Sequence, residues 1–558
     1  MKHLYIILIT LWLVACAASN DRTAIERYDL IVRAGLVYDG NGSAPVRADV
    51  GIRGDRIAAI ADLSQAPAER VIDANGMAVA PGFINVLSWA PVSLLQDGRS
   101  LSDIKQGVTL EIFGEGWSMG PLNETMKREA VKQQGDFKYP VTWTTLGEYL
   151  GHLVAKGIST NVASFVGATT VRIHELGYEN RAPNTEELER MQALVEQAMR
   201  EGALGVGSSM IYAPATFAKT DELIALAKAA AKHGGAYISH LRSEADRFIE
   251  ALDELIAIVR ATGVHAEVYH LKAAGRTNWP KMRQAIDRID TARAEGLSVA
   301  ANMYPYTAGA TGLNAAMPPW VQEGGRDAWI ARLKDTAIRK RVAEEMRQHN
   351  KDWESLYWHA GPEQTLLIGF DNSALRPLIG KTLAQVAAER GMTPEDTAID
   401  LVIEDNSRVD VAYFLMSEEN VALGIAQPWI SFGSDAESLA PEGTFLNYNP
   451  HPRAYGTFAR VLGKYVREDR VLTLSDAIRR FTSLPANNFK LRKRGRLVPG
   501  HYADVVVFDP ATIDDRATFE QPHQFAVGVV HVIVNGVPVL IDGEHTGAEH
   551  CSDADDGA

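Results

Sequence analysis

The sequence predicts an α/β fold: a (β/α)8 TIM barrel with a small β-sandwich module built from both chain ends and an inserted helical cap. Three observations carry that expectation. Eight short apolar runs alternate with helical stretches, strand-rich segments of like texture lie at the two ends, and one interval between runs is too long for a simple crossover. The runs are "GFINVLSW", "GVTLEIFG", "TNVASFVG", "ALGVGSSM", "GAYISH", "HAEVYH", "LSVAANMYP" and "PWISFGSD". Segments between them, such as "NTEELERMQALVEQAMREG", carry amphipathic period and a capping residue, Asn184 or Thr185, ahead of an acidic first turn.

In chain order, "MKHLYIILITLWLVACAAS" has a lysine, a short apolar core and small residues around Cys16. It is too short to span a bilayer and reads as a signal peptide over residues 1–15. "LVAC" matches the lipobox pattern, so Cys16 is the expected lipidation site, placing the chain at the bacterial cell envelope as a periplasm-facing, membrane-anchored lipoprotein; the alternative is a plain signal peptide with secretion to the periplasm. Residues 28–80 and 491–547 read as short strands broken at Gly, Asp and Asn, and together form the composite β-module. Residues 81–490 form the barrel, with an insertion at about 313–404 rich in helix formers. Residues 548–558 are polar and acidic and are expected to be disordered.

Bulk properties exclude some functions. A chain of 558 residues with 46% hydrophobic and 23% charged residues is an ordinary globular protein. Its net charge of −14 argues against a nucleic-acid partner, which needs a basic face. With Cys16 lipidated, Cys551 is the one thiol left, so a disulfide framework is excluded.

Barrel enzymes work at the C-terminal ends of their strands. The second run ends at Glu115, the fifth at His240, the sixth at His270 and the eighth at Asp435. Each alone also reads as ordinary structure: a bonded core histidine, a helix cap, a solvated carboxylate. Together, two histidines and two carboxylates at one mouth suit a borderline metal such as zinc. Glu111, four residues before Glu115, points to the same face but deeper and is the weaker candidate ligand.

The stretches "GALGVGSSMIYAPATFAKTDELIALAKAAAKHGGAYISHLRSE", "VYHLKAAG", "MYPYTAGATGL", "SFGSDAESLAPEG" and "HPRAYGTFARVLG" resemble the N-acyl-D-amino-acid deacylase (D-aminoacylase) family of the amidohydrolase superfamily. The resemblance runs from about Tyr28 to Gly547. It implies a metal-dependent hydrolase of linear amides that deacylates N-acyl amino acids, with His240 and His270 as metal ligands, Asp435 as the catalytic carboxylate, and Lys272 and Tyr212 on the substrate's carboxylate side, helped by Arg242. Two departures stand out. The family's first strand ends in His-X-His, whereas here those positions are Leu87 and Trp89, and no His-X-His occurs anywhere. The family's cysteine at the end of strand 2 is replaced by the turn "GEGWSMGP", which offers Glu115. The expected site is therefore Glu115, His240 and His270 around one divalent ion, expected to be zinc, with an open position. Trp89 is expected to form an apolar wall. The rival readings are a dihydropyrimidinase-like or isoaspartyl-dipeptidase-like amide hydrolase, and a non-catalytic binding lipoprotein. The last is disfavoured because His240, His270 and Asp435 are all kept.

Overall fold

The barrel is formed by eight parallel strands, β1 (Phe83–Asn85), β2 (Val108–Phe113), β3 (Asn161–Ser164, continued by Val166–Gly167), β4 (Gly205–Ser209), β5 (Ala236–His240), β6 (Ala266–Val268), β7 (Val299–Met303) and β8 (Ile430–Phe432). They are the eight apolar runs, in order. The computed structural model describes residues 27–549, so the leader, Cys16 and residues 550–558 lie outside the described residues. Strands β1–β3 and β3–β8 pair in parallel. The ring closes where Asp435 N–H donates to the Leu87 carbonyl at 2.8 Å and Trp89 N–H to the Ala436 carbonyl at 2.9 Å. Asn85 latches the same seam, accepting from Ser434 N–H and donating to Ser434 Oγ. Closure thus sets Trp89 beside Asp435.

Side chains alternate along each strand. Tyr237 belongs to the core between strands and outer helices, while its neighbour Ile238 joins Ile84, Leu110, Ile112 and Phe165 in a second core drawn mainly from the strands. Each large apolar side chain so buried contributes about 1.5–3 kcal/mol. The outer helices include Thr185–Arg200, Thr220–Ala231, Phe248–Thr262 and Lys281–Ala294. The first starts at the expected cap: Asn184 accepts from Glu187 N–H, and Glu187 accepts from Asn184 N–H.

Strands from both chain ends share one nine-stranded sheet. The junction is Ala78–Pro81, antiparallel to Val505–Phe508. Leu30, Val50 and Val79 from the first segment pack with Leu497, Val505 and Ile533 from the last. Pro81 leads directly into β1, so the sheet anchors the strand that carries Leu87 and Trp89.

Between β7 and β8 lies an insertion with its own core, which includes Leu333, Val342, Leu367, Leu401 and Val411. Besides helices such as Thr336–Met346 and Pro394–Asp405 it holds a three-stranded antiparallel sheet, Ala308–Gly312, Thr365–Gly369 and Asp410–Phe414. The helical expectation for 313–404 missed that sheet. Its first and last strands lie outside those bounds, and the first, "AGATG", has too few large side chains to show alternation. No helix among the described residues is long and apolar enough to cross a membrane.

Candidate metal centre and active site

Glu115 follows β2 in a turn between two glycines with left-handed backbone, Gly114 at φ +104° and Gly116 at φ +73°. A Cβ on Gly114 would meet the Phe165 carbonyl at 2.3 Å, and one on Gly116 would meet Ser209 Cβ at 2.6 Å. The turn is thus pressed against β3 and β4, and Glu115 projects over the barrel mouth. His240 ends β5. His270 follows β6 with φ +36° and Asp435 follows β8 with φ +51°, backbone conformations rare for residues with a Cβ. Strain of this kind gathers at functional sites.

These strand ends bring three donors together. Glu115 Oε1 lies 3.0 Å from His240 Nδ1 and 3.0 Å from His270 Nε2. Candidate ligand atoms of the three residues all fall within 4.8 Å of one another, and all three residues are buried. One carboxylate and two imidazoles with room for a fourth partner is the donor set of a catalytic zinc site, so these residues fit a divalent ion. Burial pushes the Glu115 carboxyl up, but His270 and His240 outweigh it and hold the carboxyl well below its usual value. Burial and Lys272 depress the His270 imidazole, yet Glu115, Glu244 and Asp435 lift it to about 9.

Trp89 departs from expectation. Its indole N–H lies 3.0 Å from both Glu115 Oε2 and Asp435 Oδ1 and so bridges the two carboxylates. It is a polar strut as well as an apolar surface. With Oε2 engaged, Oε1 of Glu115 is left for the two histidines. Asp435 Oδ2 sits 2.7 Å from Arg453 Nη1. Burial raises the Asp435 carboxyl, and Arg453 opposes that rise.

Sequence reasoning missed Arg453 and Glu244, both inside recognised stretches, "HPRAYG" and "SHLRSE". Glu244 stands behind the histidines: Oε1 is 3.0 Å from His270 Nδ1 and 2.7 Å from Lys272 Nζ, and Oε2 is 3.7 Å from His240 Nε2. Lys272 Nζ also lies 2.7 Å from His270 Nδ1, so that nitrogen meets an ammonium and a carboxylate together. The i, i+4 spacing from His240 was the available signal. Lys272 and Arg453 flank the Tyr304 ring, with their cationic groups 5.6 and 4.6 Å from its centroid.

Arg242, expected as a substrate helper, is committed elsewhere. It donates to Glu254 through Nε and Nη2 at 2.9 Å and to the carbonyls of Thr216 and Ala218. A guanidinium held on a carboxylate and two carbonyls has no free fork for a ligand. Tyr212 packs edge-on against the His240 ring, centroids 5.4 Å apart, and its hydroxyl donates to Thr311 of the insertion. Glu111 lies deeper, accepting from Ser88, Ser100 and Thr160 hydroxyls at 2.6–3.0 Å. That threefold satisfaction makes it a structural carboxylate and leaves Glu115 as the ligand candidate.

Residues 70–540 match the Amidohydrolase family. The chain belongs to that family. It is 34% identical over 530 residues to the D-aminoacylase of Alcaligenes xylosoxydans xylosoxydans, covering 94% of this chain and 97% of the relative. The crystal structure of N-acyl-D-glutamate deacylase from Bordetella bronchiseptica, complexed with zinc and a phosphonate mimic of the tetrahedral intermediate, superposes with a TM-score of 0.79 at 31% identity, covering 95% of this chain and all of that one. A D-aminoacylase structure described through the role of its binuclear metal center, with one-metal activation and second-metal attenuation, gives 0.77 at 33% identity and covers 94% and 99%. As an amidohydrolase, the chain acts on carbon–nitrogen bonds other than peptide bonds.

Proposed function

We propose that this amidohydrolase is a deacylase of N-acyl amino acids that works with a single divalent ion, zinc, held by Glu115, His240 and His270. The observation that carries the reading is the convergence of those three donors beside Asp435, with one indole N–H joining Glu115 to Asp435. A bound ion would supply Lewis acidity toward the charge that develops on the scissile carbonyl oxygen. Asp435 takes a proton from the attacking water and returns one to the leaving nitrogen. Arg453 favours the ionised form that this base role needs. Lys272 and Arg453, both near the Tyr304 ring, hold the carboxylate of the amino-acid half with donors not used on Glu244 and Asp435; Arg453 Nε is buried with no hydrogen-bond partner. Leu87 and Trp89 supply no side-chain ligand for a second ion, and the one-metal activation described for D-aminoacylase supports a single-ion reading.

The test is a hydrolysis screen of N-acylated D- and L-amino acids, with hydantoins, dihydropyrimidines and dipeptides as alternatives, on metal-analysed protein. Turnover of N-acyl amino acids is expected, falling at least about a hundredfold in Asp435→Asn, the usual contribution of a general base. Failure on every N-acyl amino acid, or a near-normal rate in Asp435→Asn, refutes the proposal.

From the leader sequence alone we also propose that the mature chain is a periplasm-facing lipoprotein anchored through Cys16. Cys16→Ser should shift the protein from the membrane to the soluble fraction. A wild-type protein already soluble and cleaved elsewhere removes this idea.

A further inference from the structure

Beside the metal centre lies a cavity of about 280 Å³. Its walls come from the segment after β1 at residues 88–92, the turn after Glu115, the helix Glu124–Lys132 and the segment around Val141 and Trp143. The rings of Trp89, Trp117, Tyr139 and Trp143 line it together with Met119 and Leu122. Trp89 and Trp117 remain more than a third exposed, so apolar surface is left open here instead of buried in the core. Among the described residues, no Lys, Arg or His lines the cavity. Of its two carboxylates, Glu129 accepts from Tyr178 and Glu437 from Tyr448.

The cavity adjoins the reacting centre through Trp89. Trp89 presents its ring to the cavity and its N–H to Glu115 and Asp435. Ser88 and Gly114, next to Trp89 and Glu115, line it too. The two segments that form this junction are "LSW" and "GEGWSMGP". Arg453 meets the centre at Asp435 Oδ2, the oxygen that Trp89 does not use, and Lys272 meets it at His270 Nδ1, the nitrogen that does not face Glu115. A substrate with a carboxylate at one end and an apolar group at the other would lie across the centre with its amide bond in the middle.

We propose that this cavity is the acyl subsite, and that the preferred substrates are amino acids bearing a medium-chain or aryl acyl group without charge, not an acetyl group. The inference rests on the deacylase reading above. The volume is nearly twice the roughly 150 Å³ of an apolar cavity that takes benzene, so an acetyl group would leave most of it unfilled. An anionic acyl chain would meet Glu129 and Glu437, and a cationic one would lose its hydration against the aromatic walls. Each further methylene buried is worth about fourfold in binding.

The test compares N-acetyl, N-octanoyl, N-decanoyl and N-benzoyl derivatives of the amino acid turned over best, in wild type, Ala130→Phe and Val141→Phe. Both variants fill the cavity from residues outside the reacting centre. In parallel, N-decanoylglycine and N-acetylglycine are titrated against Asp435→Asn protein by tryptophan fluorescence, to which the three lining tryptophans contribute among the ten of the chain. Wild-type kcat/KM should be at least about tenfold higher for decanoyl than for acetyl, following the methylene increment. Each variant should remove most of that advantage while changing acetyl hydrolysis by less than about twofold. Equal or better use of the acetyl compound overturns the proposal, and so does an unchanged chain-length preference in both variants. If acetyl amino acids are cleaved but N-decanoylglycine does not bind, the acyl subsite falls and the deacylase reading stands. If nothing is cleaved yet N-decanoylglycine binds, and either variant blocks it, the subsite stands and the deacylase reading falls.

Discussion

Two buried carboxylates share the indole N–H of Trp89, and without that donor Glu115 and Asp435 would face each other with less to hold them apart from repulsion. The bridge also decides which oxygen of Glu115 meets the histidines. Hydrogen bonds to charged groups are worth about 1.5–3 kcal/mol, so losing this one corresponds to roughly ten- to a hundredfold in a rate that depends on it. Trp89→Phe keeps the ring and removes the donor. It should fold and lose at least about tenfold in kcat, measured on the best N-acyl amino acid. An unchanged kcat would make the N–H incidental. Residue identity alone could not show this role: a tryptophan where a histidine is expected reads as apolar filler until its N–H is placed. Arg242 shows the converse, since a basic residue two positions after a ligand reads as a substrate clamp until Glu254 is seen on it.

At the scale of the element, the turn after β2 works because glycine stands on both sides of Glu115. Gly116→Ala would place a methyl group 2.6 Å from Ser209 Cβ on backbone at φ +73°. The expected result is a loss of about 1–3 kcal/mol of stability together with weaker metal retention, since the turn must shift off β4. Gly54 is the control: it too has positive φ, +54°, but nothing lies within 4 Å of a Cβ there. Gly54→Ala should cost about 1 kcal/mol and leave metal content alone. Thermal unfolding and metal titration of the two variants separate the cases, and a Gly116→Ala protein with normal metal affinity would show that the turn tolerates movement. The barrel strands were legible because each is a short, largely apolar run set between helical stretches. The strand Ala308–Gly312 was not, because its small residues carry no hydrophobic period.

Across the whole molecule, His451 ties the insertion to the barrel: its Nε2–H donates to the Ala308 carbonyl and its Nδ1 accepts from Arg453 N–H, so both ring nitrogens are occupied in the neutral form. Burial, then the nearby Arg453 charge, depress the imidazole well below its usual value. A depressed histidine costs nothing above its unfolded pKa of about 6.5, and an increasing amount below it, because there the unfolded chain binds the proton and the folded one does not. Melting temperature should therefore fall more steeply from pH 7 to pH 5 in wild type than in His451→Gln; parallel falls would remove His451 from the acid response. The global plan was readable from periodicity, from matching strand texture at the two ends and from four strand-end residues. Glu244 and Arg453 were not singled out, because their partners lie far away along the chain or in an unremarkable motif. The central claim is a single ion held by the Glu115 carboxylate with His240 and His270, and elemental analysis tests it most directly. For wild type and Glu115→Gln, purified without added metal, about one ion per chain is predicted in the first and a clear loss in the second. Close to two ions per chain in wild type, or the same content in Glu115→Gln, contradicts it.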